Sequence, residues 1–162
     1  MLQGPRRRSR RPAAGFTLIE LLIVVAIIGL LAAIAIPNLT GYLDKSRQRT
    51  TMANIRQIGN AVEGYAVDTT FYPIATSMST IEAIDPVNMG LQPKYLQRVP
   101  TKDGWGGAIY YGSDAEGVGT QYTISSYGKD KKLSPTSAGT IREYECDIVY
   151  QNGVFTATPE GS

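Results

Sequence analysis

Glu20 is the one charged residue in an otherwise apolar run that extends from Phe16 to Ile36. As a helix, this run would be about 31 Å long, which is enough to cross the hydrocarbon core of a bilayer. A carboxylate inside such a span costs on the order of a few kcal/mol to insert, and intramembrane acids usually pair with a cation. The sequence therefore predicts a membrane-spanning helix in which Glu20 needs a positively charged partner.

The residues that precede the span offer a way to produce that cation. Residues 1–15 contain five arginines and no acid, and they lack the apolar stretch that precedes an ordinary secretory cleavage site. Cleavage between Gly15 and Phe16 would leave the span attached to the mature chain. It would also create an α-amino group on Phe16, about one helical turn before Glu20. The alternative is an ordinary signal anchor with a stray glutamate.

The residues around the predicted cleavage point support the first interpretation. Gly-Phe-Thr-Leu-Ile-Glu at positions 15–20, followed by the apolar run and Pro37, resembles the class III signal of type IV pilins and type II secretion pseudopilins. In that family a membrane aspartyl peptidase cuts after the glycine and methylates the new N-terminal phenylalanine. The resemblance implies that Gly15 and Phe16 form the cleavage and methylation site and that Glu20 acts in assembly.

Composition argues against several functional classes. The chain has 16 basic and 14 acidic residues, but removal of residues 1–15 takes five arginines and leaves a net charge of about −3. The basic balance of the precursor therefore gives no support for nucleic-acid binding. The sequence contains no histidine, and it shows no nucleophile–base pair, phosphate-binding glycine loop or zinc-ligand spacing. We therefore expect a structural protein and not an enzyme.

The apolar periodicity predicts a long helix that leaves the membrane. Pro37 removes one helical hydrogen bond and should kink or loosen the helix. The helix should end near residues 68–70, ahead of Pro73. Between these points apolar residues recur at spacings of three and four and form a helical stripe, which consists of Met52, Ile55, Ile58, Val62 and Tyr65 or Ala66.

Strand patterns are confined to the C-terminal part of the chain. Residues 73–104 contain four prolines and predict a loop with short helical turns at 81–84 and 93–96. The predicted strands are 108–111, 121–126, 147–150 and 154–156, and Asn152-Gly153 is a strong hairpin signal. The result is an α+β pilin fold, in which the long helix packs on a small antiparallel sheet. We divide the chain into a leader (1–15), a membrane and polymerisation helix (16–38) and a periplasmic globular domain (39–162).

Elements of the soluble part narrow the resemblance. Type II secretion major pseudopilins have similar elements in the same order as three segments of this chain, which are 90–91, 95–100 and 103–107. Gly104 replaces the proline of that pattern, and Trp105 is expected to anchor the irregular loop by packing. Two later elements, 126–130 and 146–148, are also similar. Cys146 is the single cysteine, which favours this branch because many type IV pilins close a C-terminal loop with two.

The same resemblance implies one calcium ion. Asp130 and Asp147 match the acidic ligands of the family, and the Tyr127 carbonyl and Glu145 would add oxygens for an ion that takes six to eight. Residues 131–144 form a longer and different link than the family has. Lysines surround the site with positive charge at positions 129, 131 and 132. The alternative is a solvated turn that binds no metal.

The resemblance also implies a function. The chain would be a single-pass inner-membrane protein with its C-terminal domain in the periplasm, and it would polymerise into a homo-oligomeric helical filament. The leading interpretation is the major pseudopilin of a type II secretion system, with minor pseudopilins, a prepilin peptidase, an assembly platform and membrane lipid as partners. The alternatives are the major subunit of a surface type IV pilus used for adhesion, motility or DNA uptake, and a minor tip pilin that binds a ligand through residues 73–104.

Overall fold

The computed structural model describes residues 15–75, 79–81, 89–114, 119–133, 139–141, 144 and 146–159 of the 162-residue chain. The chain divides into two compact units, Met1–Leu39 and Thr40–Ser162. Helix α1, Leu18–Thr69, begins in the first unit and ends in the second. Thr70 has a φ of 73°, a left-handed conformation that ends the helix inside the predicted window.

The helical part of the first unit is apolar and exposed. Among the described residues, α1 is the one helix long and apolar enough to cross a membrane by length and composition. The helix assignment continues through Pro37, and Asn38 Nδ2 donates a hydrogen bond to the Ile34 carbonyl at 3.3 Å. The predicted kink at Pro37 stays a prediction.

The second unit contains a β-sheet with six strands in the described residues, in the order β1-β2-β3-β5-β6-β4. Strands β2, β3, β5 and β6 form an antiparallel meander, while β4 pairs with β6 in parallel at one edge. The strand bounds are β1 Ser79–Thr80, β2 Ile109–Ser113, β3 Tyr122–Ser126, β4 Gly139–Ile141, β5 Ile148–Gln151 and β6 Val154–Pro159. The α+β pilin fold is therefore confirmed.

The helical stripe forms one side of the core. Ile55, Ile58 and Val62 are fully buried, while Met52 and Tyr65 pack against the core with part of their surface exposed. The sheet contributes buried residues from several strands, which are Ile109, Tyr111, Tyr122, Ile124, Ile148 and Tyr150. The predicted packing of the helix on the sheet is confirmed.

The sheet differs from the expected meander at its two edges. Strands β1 and β4 were not predicted, because two or three residues are too short to show a period-2 pattern. The predicted strands pair antiparallel as expected, and the unpredicted β4 adds a parallel pairing with β6 at one edge. The hairpin prediction is confirmed: Asn152 and Gly153 have φ values of 45° and 88° and join β5 to β6.

The loop before β2 agrees with the sequence where it is described. The predicted turn at 93–96 is present, since Tyr95 N and Leu96 N both donate to the Leu91 carbonyl, at 3.1 and 3.2 Å. Of the turn predicted at 81–84, residues 82–84 lie outside the described residues. The loop reaches back to the end of the helix, because Tyr95 OH donates to Asp68 Oδ2 at 2.7 Å.

Candidate assembly site

Thr17 caps helix α1 and holds the side chain of Glu20. Glu20 Oε2 accepts hydrogen bonds from Thr17 N at 2.9 Å and Thr17 Oγ1 at 2.8 Å. Glu20 N in turn donates to Thr17 Oγ1 at 3.2 Å. This reciprocal pairing is a capping box, in which a Thr at the N-cap and a Glu three residues later satisfy the free donors of the first turn. This capping box was not predicted from the sequence, although the Thr-x-x-Glu spacing is its signature.

Gly15 and Phe16 lie just ahead of this cap, and both are exposed. Phe16 keeps 87% of its surface accessible. A Cβ added to Gly15 would have no atom within 4 Å. Packing against the described residues therefore gives no reason for glycine at position 15.

The apolar segment of helix α1 is exposed on all sides. Its large side chains between Leu18 and Leu39 keep between 48% and 80% of their surface exposed. A soluble protein rarely exposes a continuous apolar surface of this extent without a partner that covers it. Glu20 therefore sits on a surface that has to be covered by lipid or by other protein.

Asp44 fastens the beginning of the buried part of α1 to two loops of the second unit. Its Oδ1 accepts a hydrogen bond from Trp105 Nε1 at 3.2 Å, and its Oδ2 accepts one from Lys129 Nζ at 2.8 Å. Arg47 NH1 lies 3.6 Å from Oδ1. The hydrogen bond from Lys129 is the main cause that lowers the pKa of the Asp44 carboxyl, although burial opposes it. Asp44 was not predicted from the sequence, because its hydrogen-bond donors Trp105 and Lys129 lie more than 60 residues away.

Asp103 shapes the loop that carries Trp105. Asp103 Oδ1 accepts hydrogen bonds from Trp105 N at 2.9 Å and Gly107 N at 2.6 Å, and Oδ2 accepts one from Ser126 Oγ at 2.7 Å. The residue is buried, so the three bonds replace the water that its carboxylate loses. Trp105 packs against the hydrophobic core, which confirms its predicted role as a packing anchor.

Glu63 is a second acidic residue of helix α1, and its side chain binds the sheet. It was not predicted from the sequence. Tyr122 OH donates to Glu63 Oε1 at 2.9 Å, and Tyr72 OH lies 3.3 Å from Oε2. Gly153 N donates to Tyr122 OH at 3.1 Å, which links the β5–β6 turn to the same cluster. Burial, followed by the contact with Glu63, raises the pKa of Tyr122. These tyrosines are internal packing residues.

The residues predicted to bind calcium are only partly brought together in the described structure. Asp147 is buried, and it is close enough to Tyr127 for its charge to contribute, after burial and Tyr110, to raising the pKa of that phenol. Lys129 N donates to the carbonyl of Tyr144 at 3.0 Å, so the turn after β3 lies beside the segment that leads to Asp147. Asp130 is exposed, and its Oδ1 accepts a hydrogen bond from Lys132 N at 3.0 Å.

The described side chains at this turn supply too few oxygen ligands for a hard cation such as calcium. Glu145 lies outside the described residues. Within the part of the chain that is described, no three acidic, cysteine or histidine side chains gather into a metal-binding group. Since calcium takes six to eight oxygens, an ion here would depend on backbone carbonyls and on Glu145. Lys129, one of the three lysines that argued against the site, is paired with Asp44.

Comparison with known proteins decides the family. The family described as type II secretion system (T2SS), protein G, matches residues 38–142, which is more than half of the chain. The chain belongs to the type II secretion system protein G family. The match covers the globular unit from its first helical turns through β4, including the Asp103–Gly107 loop and the turn after β3.

Relatives of the protein G family confirm this over most of the chain. The type II secretion system core protein G of Vibrio cholerae serotype O1 is 32% identical over 130 residues, which cover 76% of this chain and 87% of the relative. The protein of the same name from Klebsiella michiganensis is 33% identical over 130 residues, with 77% and 87% covered. That of Escherichia coli K12 is 32% identical over 137 residues, with 73% and 93% covered.

Two further matches cover shorter parts of the chain. A prokaryotic N-terminal methylation motif matches residues 10–36, a range that contains Gly15, Phe16 and Glu20. The type IV major fimbrial protein FimA of Dichelobacter nodosus is 52% identical over 54 residues, which cover 33% of this chain and 35% of that protein. The similarity to a surface pilin is therefore high but confined to a third of the chain.

Proposed function

We propose that this chain is the major pseudopilin of a type II secretion system, a structural subunit whose filament drives protein export. The subunit is inserted in the inner membrane with its globular unit in the periplasm, and it awaits assembly there. Minor pseudopilins, a prepilin peptidase and an inner-membrane assembly platform are its expected partners. The family is structural, and we assign no catalytic role to any residue.

The observation that carries this proposal is the exposed apolar helix with Glu20 near its start. Lipid covers the helix before assembly, and the helices of neighbouring subunits cover it afterwards. Both hydrogen bonds from Thr17 go to Oε2 of Glu20, and a carboxylate has further acceptor capacity, so Glu20 can bind a cation while the capping box is kept. Once Phe16 is N-terminal, the α-amine of an incoming subunit is the cation that this carboxylate needs in a low-dielectric environment.

The open space at Gly15 supports processing at this position. Since none of the described residues would exclude a side chain there, we propose that glycine is required by the peptidase that cuts before Phe16 and methylates the new amine. The methylation motif spans this position. The cut leaves the capping box intact, because Thr17 and Glu20 both remain in the mature chain.

A role in secretion is preferred over a role in a surface pilus because the protein G relatives match more of the chain than the fimbrial relative does. The protein G relatives cover about three quarters of the chain, including the globular unit, whereas the fimbrial relative covers a third. In the proposed filament, each subunit contacts the next through a different surface from the one by which it is contacted. Such contacts produce an open helix when they do not close into a ring.

We also propose that a calcium ion binds beside the turn after β3. Asp147 and the Tyr127 carbonyl would supply oxygens to the ion, and Asp130 and Glu145 would complete the set of acids. The ion would supply positive charge that holds the segment 144–147 against the turn. The buried position of Asp147 and the contact of that segment with Lys129 N support this proposal.

The proposed function is tested by deletion of the coding sequence in the organism that carries it. We expect loss of the proteins exported through the type II system from the culture medium, with surface pili and surface motility unchanged. Restoration by the wild-type chain but not by the Glu20→Ala variant would support the role of the carboxylate. Normal export together with loss of surface pili would establish the pilus alternative instead.

A further inference from the structure

The turn that follows β3 carries a concentrated positive charge at the surface. Lys129, Asp130, Lys131 and Lys132 are all exposed, and the next residue, Leu133, keeps 71% of its surface accessible. Three cations therefore lie within four residues, with one acid between them.

The backbone of this turn is fixed. Gly128 and Lys131 adopt left-handed conformations with φ values of 67° and 57°. Asp130 Oδ1 accepts a hydrogen bond from Lys132 N at 3.0 Å, which closes the turn. A fixed turn presents its lysine side chains outward at less conformational cost than a mobile loop would.

The turn lies beside the first buried residues of helix α1. Lys129 Nζ is 2.8 Å from Asp44 Oδ2, so the turn is within one lysine side chain of Asp44. The helix carries three more basic residues at this level, Lys45, Arg47 and Arg49. We call Lys45, Arg47, Arg49, Lys131 and Lys132 the basic collar.

The acids near the collar are already engaged. Asp44 is bound by Lys129 and Trp105 and lies 3.6 Å from Arg47. One oxygen of Asp130 is bound by the backbone of Lys132. Counted together with Lys129, the cations of this region number six and outnumber Asp44 and Asp130, so the region keeps a net positive charge.

The chain itself holds the collar close to the membrane surface. Asp44 follows Ile36, the last residue of the apolar run, by eight positions. Eight residues span about 12 Å as a helix and under about 30 Å when fully extended. The headgroup layer adds roughly 5 to 8 Å beyond the hydrocarbon, and charges interact over about 8 Å at physiological salt. In its helical form, this tether leaves the collar within electrostatic range of the headgroups.

We propose that the basic collar binds the headgroups of anionic phospholipids in the leaflet from which the helix emerges, while the subunit waits in the membrane for assembly. The inference rests on the proposed membrane insertion. Each lysine or arginine near an anionic surface adds to the attraction, so five together orient the globular unit with the collar toward the bilayer. Extraction of the subunit into a filament breaks these contacts.

Trp105 provides a built-in probe for this contact. It is the one tryptophan of the chain, and its Nε1 donates to Asp44 Oδ1 at 3.2 Å, so it reports on the position of the collar. The full chain is reconstituted in vesicles of phosphatidylcholine, alone or mixed with phosphatidylglycerol, with a nitroxide-labelled headgroup lipid in both leaflets. We expect stronger quenching of Trp105 fluorescence in the vesicles that contain phosphatidylglycerol. The excess should disappear in about 1 M salt, where the Debye length is only about 3 Å.

The variant Lys131→Glu/Lys132→Glu should lose that excess quenching. A matched control is Arg98→Glu/Lys102→Glu, which changes the net charge by the same amount. The Lys102 carbonyl accepts a hydrogen bond from Asn54 Nδ2 at 3.1 Å, which places it about 15 Å along the helix from Asp44. The control should keep the excess.

Vesicle flotation distinguishes a failure of membrane insertion from a failure of the lipid contact. Wild-type chain that fails to float with either kind of vesicle would overturn the proposed insertion, and this inference with it. Chain that floats equally with both but shows the same Trp105 quenching in both would overturn the lipid contact alone. Loss of the excess in the control as well as in the collar variant would also overturn it, because the attraction would then belong to net charge and not to the collar.

Discussion

The backbone of Gly104 lies directly against the Arg47 carbonyl of helix α1. A Cβ on Gly104 would overlap that carbonyl. Gly104 N donates to Thr51 Oγ1 at 2.9 Å, and Thr51 Oγ1 donates to the Arg47 carbonyl at 2.9 Å. The loop that carries Trp105 thus docks on the helix through a contact that requires glycine, at the position where the family pattern led us to expect proline.

Gly104→Pro should therefore destabilise this chain, although proline is the residue that the family pattern has there. The ring would meet the helix backbone, and the hydrogen bond to Thr51 would lose its donor. Overpacking and a lost hydrogen bond together lower the free energy of unfolding by about 2 to 4 kcal/mol. Thermal unfolding of the full chain in detergent measures this. Gly41→Ala is the control, since its added Cβ meets nothing within 4 Å and should cost no stability; a stable Gly104→Pro variant would contradict the docking argument.

Asp44→Asn should weaken the attachment of α1 to the turn after β3. Asn keeps the shape of the side chain but loses the charge that Lys129 binds at 2.8 Å. Lys129 is about half exposed, so solvent screens the pair and the expected loss is about 1 kcal/mol. Denaturant unfolding of wild type, Asp44→Asn and Lys129→Met checks this. Equal stability of the three chains at neutral pH would show that the Asp44–Lys129 pair does not stabilise the fold.

The Asp44–Lys129 pair also predicts how the stability of the fold depends on pH. The pKa of Asp44 is lowered in the folded chain, chiefly by the Lys129 hydrogen bond. A group with a lowered folded pKa stabilises the fold above its ordinary pKa of about 3.9, and this contribution is lost as the pH falls through the folded value. The stability difference between wild type and Asp44→Asn should therefore be constant near neutral pH and shrink in strong acid. A difference that grows in acid would contradict the assigned direction.

Processing should occur between Gly15 and Phe16. Intact-mass measurement of the membrane or filament fraction should show a chain that begins with methylated Phe16 and lacks all five leader arginines. Gly15→Leu should accumulate as the precursor, because the structure leaves room at this position and only the peptidase would reject the larger side chain. Recovery of a mature chain that retains the arginines would remove the basis for the proposed assembly.

Glu20→Ala should leave processing and membrane insertion largely intact and impair polymerisation, because the Phe16 amine of the incoming subunit loses its partner. Thr17→Val should have a smaller effect. It keeps the Glu20 charge and the backbone donor at position 17, but it removes the hydroxyl that binds Oε2 at 2.8 Å. Cysteine crosslinking between subunits and filament counts measure assembly. Normal filaments from Glu20→Ala would exclude the pairing.

Calcium should raise the melting temperature of the full chain in detergent, and a chelator should lower it, because an ion that binds only the folded state stabilises it by mass action. Asp130→Ala and Asp147→Ala should each abolish the response. Asp114→Ala serves as the control, since Asp114 is a partly exposed acid that binds Thr120 in the β2–β3 connection. A melting temperature indifferent to both reagents, with no metal in native mass spectra, would establish the metal-free turn.

The sequence was sufficient for the features that repeat or cluster along the chain. The apolar run with Glu20, the stripe at Ile55, Ile58 and Val62, and the Asn152-Gly153 turn each depend on neighbours within one or two turns of chain. Local spacing alone specifies such features, because period, length and turn chemistry act over short distances. The N-terminal motif indicated pilins and pseudopilins, and the elements of the soluble part narrowed the resemblance to the protein G family, which the comparison confirmed.

Tertiary structure alone decided which polar groups meet. Asp44 finds Trp105 and Lys129, Asp103 finds Ser126, and Glu63 finds Tyr122, each across a gap of 23 or more residues. It also placed β4 parallel to β6 and required glycine at position 104. No local pattern encodes these pairings. They exist because folding removes these carboxylates wholly or partly from water, and distant segments then provide hydrogen-bond donors in its place.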